Sequence, residues 1–394
     1  MAQMTTLEEL GQHITLLASV EESHAPFISA YLNLENGSAS GYTALDERAA
    51  VLRHTLKGND LVDLEEALER IKEWLASHLL PEAKGAALFV RGTFGGAFML
   101  PLQFAVPLPN WIAIYPTPNI YHLVELKDNY HRYVILLAMP DRARILEVNL
   151  GAATTRAWIS RSDLRKRVGT EWARSHYQVH QADHDDRFIH EKIAVLKQLM
   201  LAGGQTHLIL AGDPNVTSRI RHALPRDLTE KLVDVVPASE RDRQDDVVVA
   251  TLSSFIEHEE RESQSIAEGL IEGLKNQNLA VVGTQATLEA LHEREVDMLV
   301  MASDYHPDPG WTCSGCKAIG TMAPNILACP RCGEPALRPL DIREAILRLA
   351  SQLDRPVEVV EQSDILLSLG GVGCLLRYRS DPLNAKSGSH LAQV

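Results

Sequence analysis

Apolar positions along this chain switch repeatedly between strand-like and helix-like spacing. The apolar run Phe27 to Leu34 predicts a strand, and after the Gly/Ser stretch Asn36 to Gly41 the pattern turns helical. Leu45, Ala49, Leu52 and Leu56 predict a helix over 44–56, and Leu61, Leu64, Leu68, Ile71 and Leu75 a second over 61–80, closed by Pro81. Ala86 to Val90, Phe98 to Phe104 and Trp111 to Ile114 read as strands separated by Gly and Pro, with Phe94-Gly-Gly96 as a hairpin turn.

A second unit opens with strands at Tyr133 to Leu137 and Ala143 to Asn149, joined by a turn at Met139 to Arg142. A basic segment, Arg156 to Arg174, precedes a long helix from about Trp172 to Leu201. Strand His207 to Leu210, helix Val216 to Ala223 and strand Leu232 to Val236 then make a β-α-β pattern, the kind that builds a parallel sheet. The acidic helical stretch Asp245 to Lys275 bridges to a third unit. There, strand Leu279 to Val282, helix Ala286 to Arg294 and strand Met298 to Met301 precede a cysteine segment, a helix from Asp341 to Leu353 and a closing strand, Gly371 to Tyr378. The predicted class is α/β, in domains at 1–127, 128–240 and 241–394, the last with the bridging helix and a metal ribbon at 311–335. The length of 394 residues suits two or three domains.

Composition narrows the function classes. Hydrophobic residues at 45% and charged residues at 23% are ordinary for a globular chain. No apolar stretch approaches the ~18 residues a membrane span needs, and the first residues carry Glu8, Glu9, Glu21 and Glu22 where a secretory leader would be basic, so the expected location is cytoplasmic. A net charge of −14 opposes indiscriminate binding to DNA or to an anionic membrane, and confines any RNA contact to a local surface.

Four of the five cysteines form two C-x2-C pairs, Cys313/Cys316 and Cys329/Cys332, with twelve residues between the pairs. Each pair on a tight turn directs two thiolates at one ion, and two turns close a tetrahedral site of the zinc-ribbon kind. With all four positions taken by cysteine no place is left for water, so the expected Zn2+ is structural. Gly315 and Gly333 suit the positive φ that such knuckles require. Cys374, inside an apolar strand, reads as a small buried hydrophobe.

The closing segment Leu369-Gly-Gly-Val-Gly-Cys-Leu-Leu-Arg-Tyr378, after a C-x2-C pair and a helix, resembles the end of the third domain of the archaeo-eukaryotic class-one release factors and their Pelota relatives. Thr206 to Gly212 and Leu228 to Pro237 are similar to that family's strand, helix and strand after its catalytic loop. Leu279 to Ser303 resembles the opening of its L7Ae-like third domain, and Trp111 to Leu126 with Tyr133 to Ala153 its first junction. The likeness runs from about Ala86 to Arg379; before residue 85 nothing matches the family's stop-codon-reading motif. It implies a bacterial branch, the three-domain release-factor and Pelota architecture with an L7Ae-like C-terminal domain carrying the zinc ribbon, and as partners the ribosome, its rRNA, P-site tRNA and a translational GTPase.

Gly203-Gly204-Gln205 matches the family's catalytic tripeptide in composition only. It follows the long middle helix, whereas the family's loop precedes it, so a helix C-cap is the expected role. At the family position stands Gly169-Thr170-Glu171, whose carboxylate is unsuited to a phosphate-rich RNA surface. Around it, Arg156 to Arg174 holds six basic residues against Asp163 and Glu171. Arg161, Arg165, Lys166, Arg167, Gly169, Trp172 and Arg174 are therefore the candidate RNA contacts, against the plainer reading of a solvated basic loop. His176, His180 and His184 share a helix face, read as polar surface or RNA contact ahead of metal. Gly212-Asp-Pro-Asn215 reads as a turn opening a helix.

No Ser/His/Asp, Cys/His or paired-carboxylate arrangement stands out, and no catalytic residue is assigned. The expected function is a ribosome-associated factor that occupies the A site in hibernation or rescue without hydrolysing peptidyl-tRNA. Two other readings stay open: a release factor that hydrolyses peptidyl-tRNA, and a protein-interaction module that never meets the ribosome.

Overall fold

In the computed structural model, residues 3–22, 26–92, 97–160, 172–239, 241–275, 279–321 and 326–377 are described, with side chains described throughout except at 160 and 172–186. They form two compact units, one of Met1–Asn129 with Glu259–Val394 and one of Tyr130–His258. The hairpin turn expected at Phe94-Gly-Gly96 lies outside the described residues.

The chain opens with α1 (Leu7–Ser19), β1 (Phe27–Asn33), α2 (Ser38–Thr55), α3 (Asn59–His78), β2 (Gly85–Arg91), β3 (Phe98–Phe104), β4 (Trp111–Tyr115) and α4 (Tyr121–Asn129). The strands form an antiparallel sheet in the order β3-β2-β1-β4. β1 is buried on both faces because alternate side chains serve different layers. Ile28, Ala30 and Leu32 meet Leu45 and Ala49 of α2 and Leu64, Leu68 and Ile71 of α3. On the other face Tyr31 lies 5.0 Å, ring to ring, from His122 of α4. Helix α2 begins at Ser38, so part of the Gly/Ser stretch read as preceding the helix supplies its first turn; Gly41 is buried there, and tertiary packing overrides weak propensity.

The second unit contains β5 (Tyr133–Ala138), β6 (Arg142–Asn149), β7 (Ala152–Ser160), α5 (Trp172–Gly203), β8 (His207–Gly212), α6 (Pro214–Ala223), α7 (Arg226–Thr229) and β9 (Leu232–Pro237), with the first part of α8 (Gln244–Lys275). Its sheet runs β7-β6-β5-β8-β9, with β5, β8 and β9 parallel, as the β-α-β pattern predicted. Val134, Leu136 and Ala138 face Ile189, Ile193 and Leu196 of α5. Tyr133 and Ile135 point the other way, toward Val247, Val248 and Phe255 of α8. Asp213 caps α6 through the N–H groups of Asn215 at 2.9 Å and Val216 at 3.1 Å, so Gly212-Asp-Pro-Asn215 is a helix start.

The rest of the chain adds β10 (Ala280–Val282), α9 (Thr284–Glu293), β11 (Val296–Ala302), β12 (Gly310–Cys313), β13 (Ile319–Thr321), β14 (Leu337–Leu340), α10 (Ile342–Gln352), β15 (Val357–Val360), α11 (Asp364–Ser368) and β16 (Val372–Leu376). Four of these strands make a mixed sheet, β10-β16-β11-β15, and three a small antiparallel sheet, β13-β12-β14. Cys374 is fully buried in β16, as an apolar role requires.

The first and last thirds of the chain are knitted together within their unit. Arg348 of α10 donates to the carbonyls of Leu17 (3.1 Å) and Val20 (2.6 Å), and Gln352 to that of Ala18 at 2.8 Å, so α10 caps the C-terminus of α1. The Val359 N–H donates to Asp128 at 2.6 Å. Among the described residues no helix is long and apolar enough to cross a membrane.

Candidate functional site

The cysteine ribbon is built from two copies of one turn. In the first, the Cys313 N–H donates to Ala318 O at 2.9 Å and the Lys317 N–H to Cys313 O at 3.1 Å; in the second, Cys329 N–H reaches Glu334 O and Gly333 N–H reaches Cys329 O, both at 2.8 Å. Each turn needs a left-handed residue four positions after its first cysteine. That residue is Gly333 at φ +79° in one knuckle and Lys317 at φ +58° in the other. The expectation for Gly333 holds, whereas Gly315 is not in the left-handed region and Lys317 bears that conformation instead. Trp311 packs with Cys313 and Cys329 beneath the turns, its indole N–H on Thr321 O at 3.0 Å.

The four sulfurs lie within 4.8 Å of one another, with Cys313 and Cys332 at 3.5 Å and Cys316 and Cys329 at 3.6 Å. Sulfurs placed tetrahedrally around an ion at a bond length of about 2.3 Å stand about 3.8 Å apart, so the donor set fits a single small metal ion. The Cys316 N–H, 3.5 Å from Cys313 Sγ, is the main cause lowering that thiol to about 7, against the opposing effect of burial. A preformed N–H···S contact of this kind favours the thiolate that a metal binds.

Gly203-Gly204-Gln205 closes helix α5. The helix ends at Gly203, and Gly204 follows at φ +65° in the left-handed conformation of a C-cap. Gln205 is only 6% exposed, and a Cβ at position 203 would come within 2.6 Å of its side-chain amide carbon. The end is pinned further by Arg132 on Gly203 O (2.5 Å) and Lys231 on Gln205 O (2.9 Å). Gln205 is thus buried, with its main-chain carbonyl held at the helix terminus.

Arg161, Arg165, Lys166, Arg167 and Gly169 lie outside the described residues. Trp172 and Arg174 open α5, and their side chains, like those of His176, His180 and His184, also lie outside the described residues. The hairpin leading into this segment is described. On it the Arg144 guanidinium sits 4.0 Å above the half-exposed Trp158 ring, and Arg156 pairs with the buried Glu147 at 2.5 Å. Arg156 thus pairs with Glu147 while its own side chain stays half-exposed.

With this geometry in place, residues 118–255 match the model for bacterial archaeo-eukaryotic release factor family 10. This part of the chain is similar to that family. The matched release-factor segment begins just ahead of α4 and takes in the five-stranded sheet, α5 and the start of α8. The chain is also similar to an archaeal translation termination factor, aRF1, at 16% identity, 95% of this chain and 99% of that one, with a TM-score of 0.26. Pelota of Archaeoglobus fulgidus is similar at 13% identity over 95% and 93%, TM-score 0.37, and archaeal Pelota in a ribosome-bound model at 13% over 96% of both chains, TM-score 0.41. All three TM-scores are below 0.5, and the likeness to the family rests on the matched segment. No curated protein matches the chain.

Glu344 and Asn119 are notable side chains that periodicity and motifs do not single out. Glu344 is buried and accepts the main-chain N–H groups of Ile120 (2.8 Å) and Tyr121 (3.1 Å), at the N-terminus of α4. Burial pushes its carboxyl up to about 7. Asn119, the residue before, is 1% exposed.

Proposed function

We propose that this chain is a cytoplasmic, ribosome-associated factor of the release-factor family that occupies the A site in hibernation or rescue and does not hydrolyse peptidyl-tRNA. The observation that carries the reading is the pairing of a release-factor segment over residues 118–255 with a Gly-Gly-Gln sequence held as a buried helix terminus. The family's loop position, before the long helix, holds Gly169-Thr170-Glu171, and a carboxylate there supports binding without ester hydrolysis. In this reading Arg161, Arg165, Lys166, Arg167, Gly169, Trp172 and Arg174 contact rRNA or P-site tRNA, the cations pairing with phosphate and the indole stacking on a base.

The same reading divides the chain in the family's domain order, 1–127, 128–240 and 241–394, with an L7Ae-like last domain and a translational GTPase as delivery partner. Cys313, Cys316, Cys329 and Cys332 would hold a structural Zn2+, which ties two turns of a small sheet together and leaves no open position for chemistry.

The test is sedimentation of the full chain with purified ribosomes, comparing the wild type with a variant carrying Arg165→Glu, Lys166→Glu and Arg167→Glu, and reading peptide release in the same fractions. Ribosome binding lost in the variant, with no release by either protein, is the expected result. Release above background would restore the hydrolase reading. Sedimentation no greater than that of an unrelated acidic protein would overturn the ribosomal role in favour of an interaction module.

A further inference from the structure

Two histidines meet where α8 packs on the five-stranded sheet. His207 opens β8 and pairs with Tyr133 of β5 in parallel register. His258 lies on α8 three residues past Phe255, whose ring stacks on that of Tyr133 at 4.6 Å between centroids. Thr251, one turn before Phe255, meets the Tyr133 hydroxyl at 3.3 Å, and Val247 and Val248 share the same core. Both histidines therefore stand on elements fixed by packing. His207 makes T-shaped contacts with Phe255 at 5.4 Å and with His258 at 5.9 Å, centroid to centroid.

Glu262 follows His258 by one turn of the same helix, and residues four apart on a helix share a face. The ligand atoms of His207, His258 and Glu262 all lie within 4.8 Å of one another. Two imidazoles and a carboxylate are a donor set suited to a divalent transition ion, with a remaining position left to water. Donors at about 2.1 Å from such an ion stand about 3.4 Å apart in a tetrahedron, so small side-chain rotations close the set. The half-buried rings and the exposed Glu262 can make them.

The surroundings favour a cation. Thr206 Oγ1 lies 2.9 Å from His207 Nδ1; with Nδ1–H donating to that hydroxyl, the ring is oriented and Nε2 keeps its lone pair for the metal. Along this stretch of α8, Glu257, Glu259, Glu260 and Glu262 outnumber Arg261, a local excess of negative charge.

We propose that His207, His258 and Glu262 bind one divalent transition-metal ion of the zinc class, in addition to any ion held by the four cysteines. With three protein ligands and no thiolate, this site holds metal more weakly than the ribbon and fills on titration. It does not depend on ribosome binding.

The test is calorimetric titration of the full chain with Zn2+, after dialysis without chelator, comparing wild type, His258→Ala, Glu262→Gln and Cys316→Ser and following the thermal unfolding midpoint of each. The wild type is expected to bind one equivalent more than His258→Ala, a difference that counts this site whatever the ribbon carries. Zn2+ is expected to raise the wild-type midpoint by more than that of His258→Ala. Glu262→Gln, at an exposed position, is expected to keep the metal-free midpoint and to weaken the added equivalent about tenfold or more, which separates a lost ligand from a lost fold. Cys316→Ser is expected to retain that equivalent. Equal stoichiometry and affinity in wild type and His258→Ala would overturn the proposal, since any added metal would then sit on other side chains. Undiminished affinity in Glu262→Gln would overturn it as well.

Discussion

Glu344 accepts the Ile120 N–H at 2.8 Å across 224 positions of sequence, so a carboxyl at the start of α10 caps a helix in the first third of the chain. The cap comes with a titration. Burial raises the Glu344 carboxyl to about 7 from an ordinary value of 4.5, with Asp341 adding to the rise and the two N–H groups and Arg343 opposing it. In the folded unit the proton is therefore held up to about pH 7, whereas the unfolded chain releases it near 4.5. Between these values the folded state binds more protons, so stability is greatest below about 4.5 and falls as pH rises to about 7, by on the order of 3 kcal/mol from this group. Urea denaturation at several pH values is expected to show that decline, and Glu344→Gln to remove most of it. A wild-type slope retained in the glutamine variant would place the titration elsewhere.

Arg348 makes the complementary connection, donating to the Leu17 and Val20 carbonyls at the end of α1. Arg348→Met keeps much of the stem and removes both charge-assisted bonds, leaving two carbonyls to find other partners. The expected loss is about 2–3 kcal/mol in urea denaturation. Arg348→Lys is expected to recover less than half, since one ammonium lacks the fork that spans the two carbonyls.

These two side chains mark the boundary of what the sequence discloses. Strands β1, β2, β5 and β8 were legible because their apolar runs are continuous and bounded by turn residues, and α3 because its leucines repeat at helical spacing. Helix α1 carried a readable sign that the apolar pattern did not bring out: Thr6 and Glu9 form a reciprocal capping box. Helix α4 carried none, being nine residues long with an N-terminus satisfied by Glu344 from a distant segment. The clustering of the four cysteines was legible from spacing alone, because two C-x2-C turns are local structures. The Asn119 amide, buried and without a partner among the described residues, was not, because that environment exists only after the chain has folded.

The four-cysteine cluster gives a stoichiometric expectation. Protein purified without chelator is expected to carry about one equivalent of Zn2+ per chain by elemental analysis. Cys316→Ser is expected to lose most of it, while Cys374→Ala, buried in β16, keeps the metal and loses only packing. Chelation is expected to lower the unfolding midpoint of the wild type, since the ribbon's core is little more than Trp311, two of the cysteines and a few flanking side chains. Metal content unchanged in Cys316→Ser would show that the four sulfurs do not share an ion.

Gln205 separates the structural from the hydrolytic reading of Gly203-Gly204-Gln205. If the tripeptide only closes α5, substitutions there act on folding alone. Gly204→Ala forces an alanine into φ +65° and is expected to cost about 1 kcal/mol. Gly203→Ala is expected to cost more, because the new Cβ meets the Gln205 amide and one of the two must move. Gln205→Ala is expected to leave peptide release from ribosomes at background, the level also expected of the wild type, while shifting the unfolding midpoint. The opposite pattern, release by the wild type that is abolished in Gln205→Ala with the midpoint unmoved, would require this helix end to open and reach the ester. Arg132 on Gly203 and Lys231 on Gln205 oppose that opening, so Arg132→Ala would then be expected to increase release.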